Sequence, residues 1–168
     1  MTRVAHRWCG STPPMCAPSR SCHWRRCNKT PPPRADRMAT VTLISDVEAS
    51  PEVRAVFDDI RATRGSDVIN NFWRALAHDP ALLLATWERL KSVMGPGTLD
   101  PLTKELIYIA VSVANGCEYC AHSHTAAARA KGMTPAQHGE LLSVIGMASQ
   151  TNALATALQV PVDDAFKI

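Results

Sequence analysis

The sequence predicts an all-α protein, a compact helical domain of about six helices over residues 38–168 that assembles into a homo-oligomer. Three observations carry that prediction. Apolar residues recur at helical spacing through most of this region, cap-and-proline signals open one segment after another, and the composition, 46% hydrophobic but only 5% aromatic, suits an Ala- and Leu-rich helical core. A chain of 168 residues holds one such domain without needing a second.

After an extended lead, Ala39 to Val47, Ser50 is the N-cap of the first helix and Pro51 its first residue; Val53, Val56, Phe57 and Ile60 then fall on one face before Gly65. Ile69 to His78 forms a short second helix. Asp79-Pro80 ends it and caps a third, whose apolar positions Leu83, Leu84, Trp87, Leu90 and Met94 run to Gly95-Pro96-Gly97. Asp100 and Pro101 open the fourth helix in the same way, with Leu102, Leu106, Ile109, Ala110 and Val113 as its stripe, and Asn115-Gly116 stop it. The fifth carries the cysteine motif and stops at Gly132. Thr134-Pro135-Ala136-Gln137 is a capping box that starts the sixth, with Leu141, Leu142, Ile145 and Ala148 inward; Gln150 to Leu158 continues it or forms a seventh. Around the fourth helix, Ile107, Tyr108, Ile109, Val111 and Val113 cover the whole circumference, so the sequence predicts that another subunit buries part of it.

Residues 1–37 differ in kind. They hold six of the twelve prolines, four of the six cysteines and eight Lys or Arg against one acid, Asp36, a net of +7 that leaves −4 for residues 38–168 within the chain's +3. Such a segment buries too little apolar surface to offset its ordering entropy, so it is expected to be a disordered tail or the product of a start assigned upstream of Met38. It lacks the apolar core of a secretory signal, and its prolines interrupt the amphipathic helix of a transit peptide. Cys9, Cys16, Cys22 and Cys27, with His6 and His23, match no standard zinc spacing. With the basic charge confined to this tail, the helical domain is not read as a nucleic-acid binder. No run of about 18 apolar residues exists to span a membrane, and the expected location is cytoplasmic.

The chemistry concentrates in Cys117 to His124, CEYCAHSH. Cys117, Cys120 and His124 share one face of a helix, and Cys117 sits at or just before its start, where free N–H groups and the helix dipole favour a thiolate over the free thiol of pKa about 8.5. From the residues alone the pair is a redox dithiol, half a zinc site or an inert packed pair.

Glu105, Cys117, Cys120 and His124, in the frame E-x11-C-x2-C-x3-H across two consecutive helices, resemble the signature of the carboxymuconolactone decarboxylase-like superfamily, specifically its alkylhydroperoxidase D-like (AhpD-like) branch. The resemblance covers roughly Val47 to Leu158, including the helical pair within Asn70 to Met94 and the A-x-x-x-G-M-T break after the motif. It implies an all-α trimer or hexamer whose dithiol cycles through a disulfide. It further implies that Glu105 and His124 relay protons so that Cys120 attacks a hydroperoxide and Cys117 resolves the sulfenic acid. The branch's best-known pattern has a further relay histidine immediately before the second cysteine; here that residue is Tyr119. His122, two residues from Cys120, points away from the cysteine face, and His78 and His138 are read as surface residues. Trp73 and Trp87 are assigned to a core or interface.

The expected function is therefore a thiol-dependent peroxidase or disulfide oxidoreductase, with no bound cofactor or metal. No Rossmann fingerprint or P-loop is present, so electrons are expected from an external dithiol, lipoamide or a thioredoxin-like protein. The alternatives are the superfamily's namesake lyase, which needs no dithiol, and a non-catalytic redox partner protein.

Overall fold

The computed structural model describes residues 39–167. Six α-helices follow one another: α1 Pro51–Arg64, α2 Asn71–Leu76, α3 Pro80–Met94, α4 Pro101–Ala114, α5 Glu118–Ala130 and α6 Pro135–Ala157, with a 3-10 turn at Asp164–Phe166. Among the described residues there is no strand, and no helix is long and apolar enough to cross a membrane. The expectations for the tail and its cysteines lie outside the described residues.

The starts follow the local chemistry. Ser50, Asp79, Asp100 and Thr134 each accept a backbone N–H of the first turn, each is followed by proline at the first or second helical position, and Thr134 with Gln137 closes the capping box. The second helix is shorter than predicted. Ile69 stays in an extended segment whose carbonyl is held by Arg74, and Ala77 already caps the end, because the chain must turn to present Asp79 to α3.

The helices pack as two groups. α1 and α2 both lie against α3, burying Val53, Val56, Phe57, Ile60, Trp73, Leu83 and Trp87 together with Ala49, Ile69 and Ala77. Asp46 ties the preceding loop to this group through Arg61 and Arg74; hydrogen bonds from Arg74 first, then Arg61, hold its carboxyl at about 2. α4 lies against α5 and α6, and the apolar residues its group buries are only Ile109, Ala128 and Met133, with Leu102, Leu106, Leu141 and Ile145 half-covered around them.

The predicted inward stripe of α6 is corrected by this arrangement. Leu141 and Ile145 touch the core, but Leu142 and Ala148 face outward, and the 23-residue helix, which continues unbroken through Gln150, buries no residue completely. Leu84 of α3 likewise lies outside the core. On α4, Ile107, Val111 and Val113 are 49%, 53% and 42% exposed, so nothing described in this chain covers the outer half of that helix.

Candidate redox site

The site is built at the joint between α4 and α5. Gly116 adopts φ +66°, a left-handed conformation that costs glycine little, and the N–H groups of Gly116 and Cys117 turn back to the carbonyls of Val113 and Ser112. This C-terminal cap on α4 sets Cys117 as the N-cap of α5, where its sulfur accepts the Cys120 N–H at 3.3 Å. Cys117 and Cys120 are joined as a disulfide with Cα atoms 5.4 Å apart. Cysteines three apart at a helix start meet this geometry without moving the backbone.

Beside the disulfide, α4 and α5 bury a charged cluster. Glu105 Oε2 accepts from His124 Nδ1 at 2.6 Å and Glu105 Oε1 accepts from Lys131 Nζ at 2.6 Å, so both carboxylate oxygens are held. The Glu105 side chain is only 4% exposed. Burial alone would push its carboxyl up, but the hydrogen bonds from His124 and then Lys131, with their charges, outweigh that and leave it below the ordinary value. A proton on Nδ1 directed at the carboxylate leaves Nε2 of His124 as the nitrogen able to give or take a proton. Tyr108 stacks on the imidazole, with ring centroids 3.5 Å apart and planes 17° apart, and fixes its tilt. His124 and Cys120 line the same cavity without a hydrogen bond between them.

That cavity, about 750 Å³, lies between the two helix groups. Trp73, Trp87, Leu90, Met94, Phe72 and Tyr108 give it apolar walls, and Cys120, His124 and Glu105 form its reactive side. Cys117 is not in its lining. Tyr119, at the position of the further relay histidine, lines the cavity and accepts the Phe72 N–H at 3.3 Å, so its hydroxyl joins α5 to the start of α2. His122 is exposed, and His78 Nε2 meets the Thr42 carbonyl on the surface. Trp73 and Trp87 are core residues that also present surface to the cavity. Among the described residues no cluster of three or more His, Cys, Asp or Glu could hold a metal.

Of the four residues singled out from sequence, the fold pairs Glu105 with His124 and Cys117 with Cys120, and places three of them on one cavity. Tyr108 and Lys131 were missed. Both had a same-face signal, Tyr108 three residues after Glu105 and Lys131 seven after His124, but a tyrosine or lysine on a helix is ordinarily read as packing or solvated charge. Lys131 is also the C-cap of α5, where the left-handed Gly132 ends the helix and brings the Met133 N–H to the Ala128 carbonyl.

The family model described as the carboxymuconolactone decarboxylase family matches residues 80–163. Among solved structures, the crystal structure of the alkylhydroperoxidase AhpD core from Rhodospirillum rubrum is similar to this chain, with 70% identity, 78% of this chain and 98% of that chain covered, and a TM-score of 0.76. No curated protein matches the chain.

Proposed function

We propose that this chain, which belongs to the carboxymuconolactone decarboxylase family, is a thiol-dependent peroxidase that reduces hydroperoxides through Cys120 and is re-reduced by an external dithiol. The observation that carries the reading is a dithiol pair whose second sulfur opens on an apolar cavity beside a buried Glu105–His124 pair. Its likeness to a structure named for alkylhydroperoxidase supports the same chemistry.

In the reduced protein, the Cys120 thiolate attacks the terminal oxygen of ROOH. The S–O bond forms as the O–O bond breaks, the two electrons come from sulfur, and the departing alkoxide takes its proton from His124 to leave as ROH. Glu105, whose two oxygens accept from His124 and Lys131, orients the imidazole so that Nε2 takes the proton the Cys120 thiol releases and passes it to the alkoxide. The Cys117 thiolate then attacks the sulfur of the Cys120 sulfenic acid, closing the disulfide and releasing water with one further proton. As the N-cap of α5, Cys117 faces free backbone N–H groups and the positive end of the helix dipole, which favour a thiolate there and suit it to resolve and, in the reductive half, to leave. An incoming dithiol, of the lipoamide or thioredoxin-like class, therefore attacks Cys120, the sulfur in the cavity, and Cys117 departs as the better leaving group. In the same reading the chain works as a cytoplasmic trimer or hexamer, the uncovered faces of α4 and α6 meeting other copies.

The test is hydroperoxide consumption with dihydrolipoamide or a thioredoxin-like donor. Cys120→Ser should abolish turnover, whereas Cys117→Ser should permit one attack and leave a trappable sulfenic acid at Cys120. A sulfenic acid at Cys117 in the Cys120→Ser protein would exchange the two roles, and thiols inert to both peroxide and disulfide would end the redox reading.

A further inference from the structure

Three basic side chains line the cavity, and they differ in how their charge is met. Lys131 is paired with Glu105, and Lys91 with Asp59 and Glu88. Arg64, at the end of α1, has no carboxylate partner among the described residues. Its Nη1 donates to the side-chain oxygen of Asn70 at 3.1 Å, and its guanidinium carbon stands 5.6 Å from the ring centroids of both Trp73 and Trp87. A neutral amide and two indole faces orient the guanidinium, and the Glu105 carboxylate acts on it only from beyond ion-pair distance. Of five N–H donors, one is used within the described protein, and the residue stays exposed, so the remaining donors are open to a ligand.

The helix dipole accounts for a basic residue in the last turn of α1, a place Arg61 also occupies. Cation–π attraction to Trp73 and Trp87 then sets the guanidinium at the cavity wall. The surroundings lower the proton affinity of Arg64 through loss of water, the penalty an anion would relieve. The wall next to it is apolar, and the volume lies within the roughly 300–1,000 Å³ that small-molecule ligands occupy.

We propose that Arg64 is the anchor for the carboxylate of an apolar acid, so that the oxidant this site takes is the hydroperoxide of a hydrophobic monocarboxylic acid, such as a fatty-acid hydroperoxide. The acid group docks on the guanidinium, the hydrocarbon body lies along Trp73, Trp87, Leu90 and Met94, and the hydroperoxide meets Cys120. This assignment of substrate rests on the peroxidase reading above. A carboxylate suits the planar fork of Arg better than a point cation, and a hydrogen-bonded charged contact of this kind corresponds to about tenfold or more in affinity.

The experiment compares linoleic acid hydroperoxide with its methyl ester in the full-length protein, and, independently of turnover, the calorimetric binding of decanoate with that of methyl decanoate. The acid should have at least a tenfold higher kcat/KM than the ester, mainly through KM, and decanoate should bind where the ester does not. In Arg64→Gln the acid-to-ester ratio should collapse to about one, and Arg64→Lys should restore part of it. Equal use of acid and ester by the unsubstituted protein, or an unchanged ratio in Arg64→Gln, overturns the proposal. If no hydroperoxide is consumed at all, the peroxidase reading fails on its own account. Decanoate binding that is lost in Arg64→Gln would then still sustain the anion anchor, and its absence from the unsubstituted protein would overturn it.

Discussion

The α1–α3 group and the α4–α6 group each contain two helices opened by a side-chain oxygen cap and proline, yet they finish differently. The first buries ten apolar residues, with Phe57, Ile60 and Leu83 fully enclosed, and its polar residues stay at the rim. The second buries three, and spends interior space on Glu105 and Ser112 instead. A buried carboxylate held by a lysine and a histidine contributes little net stability, because desolvation offsets much of the attraction. The contrast teaches that stability and chemistry are divided between the groups: one is a conventional core, and the other holds the dithiol and its charged cluster at the cost of an incomplete core of its own.

The largest expected effect tests that division directly. Phe57→Ala should destabilise the protein by about 3–5 kcal/mol, and Ile145→Ala, half-covered on α6, by about 1 kcal/mol, as measured by chemical denaturation. Comparable losses would mean that the second group is more completely buried in solution than within one chain.

Next comes the charged cluster. Glu105→Gln keeps the shape but removes the charge that fixes His124, and should lower hydroperoxide turnover by about 100-fold while the fold survives. Its acid response has a definite sign. The carboxyl lies below the ordinary value when folded, so its contribution to stability is present above the unfolded value of about 4.3 and is lost as pH falls through the lower folded one. The Glu105→Gln protein should lack that part of the acid transition.

The uncovered faces give a smaller effect on folding but a clear one on assembly. Val111→Asp, or Leu154→Asp on α6, should change the stability of one chain by less than about 0.5 kcal/mol, since neither residue is buried within it, yet should dissociate the proposed trimer or hexamer. Sedimentation would read the change, and an unsubstituted protein that sediments as a monomer would remove the oligomer from the proposal.

The smallest effect belongs to the first group. Asp46, held at about 2 by Arg74 and Arg61, contributes stability above its unfolded value of about 3.9 that is lost as pH falls to about 2. Because its side chain is 48% exposed, Asp46→Asn should cost less than about 1 kcal/mol at neutral pH and flatten stability over that window. Hydroperoxide turnover should not change, because Asp46 is not in the cavity lining.

What the sequence determined by itself is what short-range chemistry controls. Each cap lies within a few residues of the backbone groups it satisfies, so the starts at Ser50, Asp79, Asp100 and Thr134 were legible, as was Cys117 at the head of α5 behind Gly116. Helical spacing likewise placed Cys120 and His124 on one side of α5, and the family frame drew Glu105 into the same group. The tertiary structure decided which apolar faces find a neighbour. Leu142 and Val113 have the spacing of core residues, but no described element of this chain covers them. It also decided that Lys131 and His124 take the two oxygens of one buried carboxylate, and that Arg64 comes from the end of α1 to the cavity that holds Cys120. The Glu105 contacts join residues 19 and 26 positions apart and form where α4 packs on α5, a separation over which local propensity carries no information, whereas Arg64 and Cys120 come to one cavity only because the two helix groups lie against it.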